Sequence, residues 1–141
     1  MLTKEVIEKF ASDWYKKLDI HVPMVEVLPM LDDKDLQMVF PEVTVYGHAG
    51  FEGWFQKVIR LFFDEVHTVK LVEPVIKGDT AVVKVVVQWE ASIWNAPEAF
   101  SKRINADAYQ TWEMKENAAG KLVITKYVVD DLKYHPGSAT L

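Results

Sequence analysis

The chain contains no cysteine. Disulfides, thiolate nucleophiles and cysteine-built zinc sites are therefore excluded. Glycine and proline are sparse, six of each in 141 residues, and scattered. No phosphate-cradling loop is present, since Gly47-His48-Ala49-Gly50 is too short a match. Basic residues are outnumbered, 16 Lys and Arg against 21 Asp and Glu, for a net charge of −5. That balance argues against nucleic acid as a partner and against a polybasic membrane patch. No apolar run approaches the roughly 18 residues of a membrane-spanning helix. The opening MLTKEVIEKF carries charge where a signal peptide would be apolar. A cytoplasmic location is the resulting expectation. The four histidines, at 21, 48, 67 and 135, lack H-x-H or H-x3–5-H spacing, so no metal site is expected. No serine sits in a nucleophile elbow.

Half of the residues are hydrophobic and 26% are charged, as in a globular domain. The length suits one domain over 1–141, with a tail expected to fray from about 135. Val6, Ile7, Phe10, Trp14 and Leu18 recur at helical spacing behind Thr3, a suitable N-cap, and predict a helix over 3–18. Pro23 opens a second helix to about Leu31, which Pro29 should kink or shorten. Leu36, Met38 and Phe40 alternate as a half-buried strand, and Val43–Tyr46 reads as its hairpin partner. A third helix is predicted from Gly50 to about Asp64.

Residues 66–94 then read as two long strands around a Lys77-Gly78-Asp79-Thr80 turn. The second, 81–94, would span roughly 45 Å at about 3.3 Å per residue. Strands twist, so one that long bends and builds a concave sheet. Pro74 makes the first of the pair an edge or a bulged strand. Two further strands are expected over 103–115 and 121–131. This order predicts an α+β fold, a curved, mostly antiparallel sheet wrapped around N-terminal helices.

Trp14 in the first helix, VTVYGHAGFEGWFQKVIRLFF, KGDTAVVKVVVQWEA and AGKLVITKYVVDD together resemble the nuclear transport factor 2-like superfamily over nearly the whole chain. That superfamily includes ketosteroid isomerases, scytalone dehydratase, limonene epoxide hydrolase and SnoaL-like cyclases. The resemblance implies a cone, cystatin-like in outline, with an internal pocket. It implies no single chemistry, because one scaffold hosts many functions.

Alternation places Val83, Val85, Val87, Trp89 and Ala91 on one strand face, towards the helices. The next strand turns Ala106, Ala108, Gln110, Trp112 and Met114 inward. Gln110 is then a lone amide among tryptophans and alanines, either a satisfied core residue or a ligand-orienting group. It resembles the position of an oxyanion-binding Asp in the isomerases. His67 shares a predicted face with Val69 and Leu71. It reads as a half-exposed histidine or as a general acid or base, and it resembles a catalytic histidine of scytalone dehydratase. The second histidine of that dehydratase falls near Ala91 and is missing. Tyr46 and His48 lie where the isomerases place their base, although Gly47 is the nearest match. Tyr46 is a hydrogen-bond donor or a packing residue, and His48 a base or a turn residue. Trp14 resembles a catalytic-tyrosine position but can only line a wall or pack. Asp130 matches a terminal acidic position, the region limonene epoxide hydrolase uses, and reads equally as a solvated strand end.

The expectation is an isomerase, dehydratase or cyclase acting by proton transfer on a small apolar or aromatic ligand, with no cofactor. His67, Asp130 and His48 are the catalytic candidates. Trp14, Tyr46, Trp89, Gln110 and Trp112 are the ligand-binding candidates. Two other readings stand beside it. One is a non-catalytic binder of a hydrophobic ligand. The other is an interaction scaffold whose cavity is filled by tryptophans, pairing as a homodimer through its outer sheet face.

Overall fold

A computed structural model describes all residues, 1–141. Helix α1 spans Lys4–Asp19, and the Thr3 hydroxyl accepts from the Val6 N–H at 3.2 Å. Its buried residues, Ile7, Ala11, Trp14, Tyr15 and Leu18, follow the three-to-four spacing of one helix face. Helix α2, Met24–Val27, passes at once into a 3-10 turn, Leu28–Met30. Pro29 lies in that turn and shortens the helix, as its missing N–H requires.

Strands β1 (Gln37–Val39) and β2 (Thr44–Tyr46) form the early hairpin. Helix α3 covers Gly47–Leu61, three residues earlier at each end than the sequence pattern predicts. Gly47 adopts φ +68°, which lets the chain turn from strand straight into helix. No loop separates α3 from β3 (Phe62–Lys77). Strands β4 (Thr80–Ile93), β5 (Lys102–Glu116) and β6 (Leu122–Tyr134) follow.

The six strands form one curved, unclosed sheet in the order β2-β1-β6-β5-β4-β3. All neighbours are antiparallel except β1 and β6. Strand β3, which carries Pro74, lies on the edge, where a missing N–H leaves no ladder bond unmade. The inner faces of β4 and β5 are as alternation predicts: Val83, Val85, Val87, Ala106, Ala108, Gln110, Trp112 and Met114 are buried. They pack against α1 and against Phe51 and Phe55 of α3.

Two expectations are corrected. The tail from His135 is tied down: the His135 and Ala139 N–H groups donate to Asn105 and Arg103 carbonyls, and the Ser138 hydroxyl accepts from the Asn105 N–H. In addition, Leu71 does not share the face of His67 and Val69. A bulge between Val69 and Leu71 reverses the alternation, leaving Leu71 37% exposed and turning Val72 inward.

Candidate active site

Helices α1 and α3 and the concave face of β3–β6 enclose a cavity of about 120 Å³. Its walls are mostly apolar, with Phe55 and Val58 from α3, Val87 and Trp89 from β4, and Tyr127 and Val129 from β6. Exposed Pro41, Glu42 and Leu141 mark the rim. There Phe40 stacks on Trp54, centroids 3.7 Å apart, and the Trp54 indole N–H donates to Glu42 at 2.9 Å.

Strand β3 delivers the polar groups. Between Phe63 and Val66 its register with β4 shifts, and Asp64 sits in the left-handed region at φ +51°. Arg103 donates from Nη1 to the Asp64 carbonyl at 2.7 Å and braces this bulge. The extra residue changes which side chains point inward. Phe62 faces in before the bulge, and Glu65, His67 and Val69 face in after it. Both Glu65 and His67 line the cavity.

His67 is held from α1. Its ring Nδ1 lies 2.5 Å from Asp19 Oδ1, and its backbone N–H donates to Asp19 Oδ2 at 2.9 Å. Tyr15 stacks on the ring at 4.7 Å. A carboxylate accepts hydrogen bonds, so Nδ1 carries the proton and the lone pair of a neutral imidazole is on Nε2. Nε2 has no hydrogen-bond partner within the protein.

Glu65 forms the complementary pair. Its Oε2 lies 2.7 Å from His21 Nε2, and Oε1 accepts from the Trp89 indole N–H at 3.2 Å. Two acid–x–histidine triplets, Asp19-Ile20-His21 and Glu65-Val66-His67, thus pair crosswise. His21 and Asp64, both at φ +51°, are the only non-glycine residues with positive φ. One is the partner of Glu65 and the other precedes it. Such a conformation costs about 1–2 kcal/mol per residue.

Gln110, 4% exposed, supplies the third polar group. Its Oε1 accepts from the Tyr15 hydroxyl at 3.0 Å and from the Trp112 indole N–H at 2.9 Å. Indole N–H can only donate, which fixes the amide orientation. The Nε2 hydrogens are left without a protein partner, on a side chain that lines the cavity. Tyr127 lies 3.4 Å from the Tyr15 hydroxyl. Tyr15 has given its proton to Gln110, so Tyr127 is the donor in that contact. Burial first, then the neighbouring Tyr127, pushes the Tyr15 hydroxyl well above the ordinary phenol value. Burial likewise raises Tyr127. Both stay neutral donors at any ordinary pH.

Of the residues singled out from the sequence, His67, Trp89 and Gln110 come together around the cavity. Trp14 and Trp112 are buried in the core behind it, and their packing leaves the cavity open. Tyr46 is 66% exposed at the start of α3. His48 Nε2 bonds the Leu31 carbonyl at 2.9 Å. Asp130 is exposed and accepts from the Thr111 hydroxyl at 2.6 Å, away from the cavity. Asp19, His21 and Glu65 were not singled out. The repeated acid–x–histidine triplet was the signal that could have found them.

No protein-family model and no curated protein matches the sequence. Solved structures do match in shape. A provisionally named aromatic ring hydroxylase from Novosphingobium aromaticivorans superposes with a TM-score of 0.78 at 16% identity, covering 94% of this chain and 92% of that one. A hexachlorocyclohexane dehydrochlorinase from Novosphingobium barchaimii gives 0.74 at 16% identity, over 96% and 91%. A ketosteroid isomerase-like protein from Erwinia carotovora gives 0.69 at 18% identity, over 88% and 92%. The chain therefore has the α+β cone fold of the nuclear transport factor 2-like proteins. At these identities the likeness concerns the fold. No helix is long and apolar enough to cross a membrane.

Proposed function

We propose that this protein is an enzyme that removes a proton from carbon in a small, largely apolar substrate. The supporting observation is the free Nε2 of His67 inside an apolar cavity, with Nδ1 anchored on Asp19. An aspartate in that place holds the tautomer and stabilises the imidazolium that forms. A positioned base contributes about 10²–10⁴-fold to proton transfer.

His67 Nε2 takes a proton from a carbon next to a carbonyl. The C–H electron pair moves into the carbonyl, and the oxygen becomes an enolate. The Gln110 amide N–H donates to that oxygen as charge develops, and one such donor contributes about 10²–10³-fold. Return of the proton to another carbon completes an isomerisation. Departure of a leaving group from the β-carbon completes an elimination, with the proton left on His67. Both outcomes accord with the names of two structural relatives, an isomerase-like protein and a dehydrochlorinase. A cavity of about 120 Å³ suits one six-membered ring, since an apolar cavity of about 150 Å³ binds benzene.

The test needs no knowledge of the natural substrate. Cyclohexanone and 2-cyclohexenone are incubated with the protein in D₂O, and loss of α-proton NMR signal is followed. The protein is expected to accelerate exchange, and His67→Gln to lose at least a hundredfold of that acceleration. Exchange no faster than in buffer, with the ketone demonstrably bound, would leave a non-catalytic binder of ring-sized ligands as the better reading.

A further inference from the structure

The proton-transfer mechanism has no use for Glu65. Its side chain is only 5% exposed, yet it lines the cavity. Its protein partners are the neutral Trp89 indole and His21, which is charged only when protonated. No lysine or arginine lines the cavity. The second acid of the lining, Glu42, stands at the rim. A buried carboxylate with no permanently charged partner is costly, and a ligand that brings a cation relieves that cost. The bulge at left-handed Asp64, braced by Arg103, turns this carboxylate inward, and His21, also left-handed, meets it. Backbone strain concentrated around one side chain is a mark of function. Trp89 and Phe62 pack edge to face at 5.0 Å in the same wall and offer aromatic faces to a cation. An anionic ligand would meet two carboxylates and no lysine or arginine.

We propose that Glu65 is a substrate-anchoring residue and that the cavity takes a ring-sized primary amine in its ammonium form. The ammonium pairs with Glu65 beside Trp89, and an acceptor elsewhere on the ring is left for Gln110. This inference rests on reading the cavity as a substrate site, and it names the class of substrate.

Four ring-sized probes test it at pH 7.5: benzylammonium, benzyl alcohol, toluene and benzoate. Binding is followed by calorimetry and by the Trp89 indole N–H resonance, which reports directly on Glu65. Benzylammonium is expected to bind at least tenfold more tightly than benzyl alcohol or toluene, and benzoate more weakly than all three. Glu65→Gln keeps an acceptor for Trp89 and removes the charge, so it should lose the tenfold preference and keep its affinity for benzyl alcohol. Glu65→Asp keeps the charge and should retain the order, which decides the matter if the glutamine variant folds poorly. The same preference measured in His67→Gln separates anchoring from catalysis. If it persists there while deuterium exchange is absent from the wild type, the proton-transfer reading fails and this one stands. The proposal is overturned if benzoate binds as well as benzylammonium, if no probe binds, or if Glu65→Gln leaves benzylammonium affinity unchanged.

Discussion

Asp19, the last residue of α1, accepts two hydrogen bonds from His67, one from the ring and one from the backbone. The carboxylate therefore sets both the position of the strand residue and the tautomer of its imidazole. This pair of hydrogen bonds between the first helix and the edge strand orients the base towards the cavity.

Asp19→Asn should leave the fold intact and slow deuterium exchange of a bound ketone by about 10²–10⁴-fold, because the amide no longer enforces the Nδ1–H tautomer. The measurement is the exchange rate at saturating ketone, with binding checked separately. An unchanged rate would remove Asp19 from the mechanism.

Gln110→Leu strands two buried donors, the Tyr15 hydroxyl and the Trp112 indole N–H. Each stranded donor costs about 1–3 kcal/mol. Urea denaturation should register the sum as a lower midpoint at an unchanged slope. A loss of less than about 1 kcal/mol would mean that the donors find other partners, and that Gln110 does not hold the cluster together.

Tyr15 and Tyr127 make a prediction at alkaline pH. Burial raises both hydroxyls above an ordinary phenol. The unfolded chain loses these protons near pH 10, while the folded protein retains them. Stability from this source is complete below about pH 10 and is lost as pH rises through the folded values. Phenolate absorbance should appear for these two residues only together with loss of the near-UV circular dichroism. Reversible titration without unfolding would contradict their burial.

The acid limb has the opposite sign. At Asp32, burial opposes ionisation, but the Asp35 N–H at 2.8 Å and the Lys115 charge outweigh it and hold the carboxyl below its usual range. At Asp107, His135 Nε2 at 2.9 Å lowers the carboxyl most; burial opposes it, and Lys70 assists the lowering. The unfolded carboxyls titrate near pH 4, so this stability is present above that pH and lost as pH falls through the folded values. Asp32→Asn should be less stable than wild type at pH 7 and show a smaller drop between pH 7 and pH 3 in urea midpoints. An identical acid dependence would count against Asp32 as a contributor.

Much of this arrangement is written in local patterns. The period of Ile7, Trp14 and Leu18, the unbroken run from Ala81 and the alternation around Gln110 each express a local rule of helix or strand geometry. The inner walls could be read from parity because β4 pairs with β5 without a bulge. On β3 the same reasoning failed at Leu71, where a bulge intervenes, and Glu65 went unnoticed for a related reason. A bulge is one extra residue in a ladder, and its position depends on the neighbouring strand.

The sequence by itself determined the helices, the long bent strand and the apolar inner face, because side-chain period and turn chemistry are local. Tertiary structure alone decided that Asp19 meets His67 across 48 positions and His21 meets Glu65 across 44. Those pairs exist because α1 lies against a strand that two bulges have re-aimed. Which acid finds which histidine is a property of that packing.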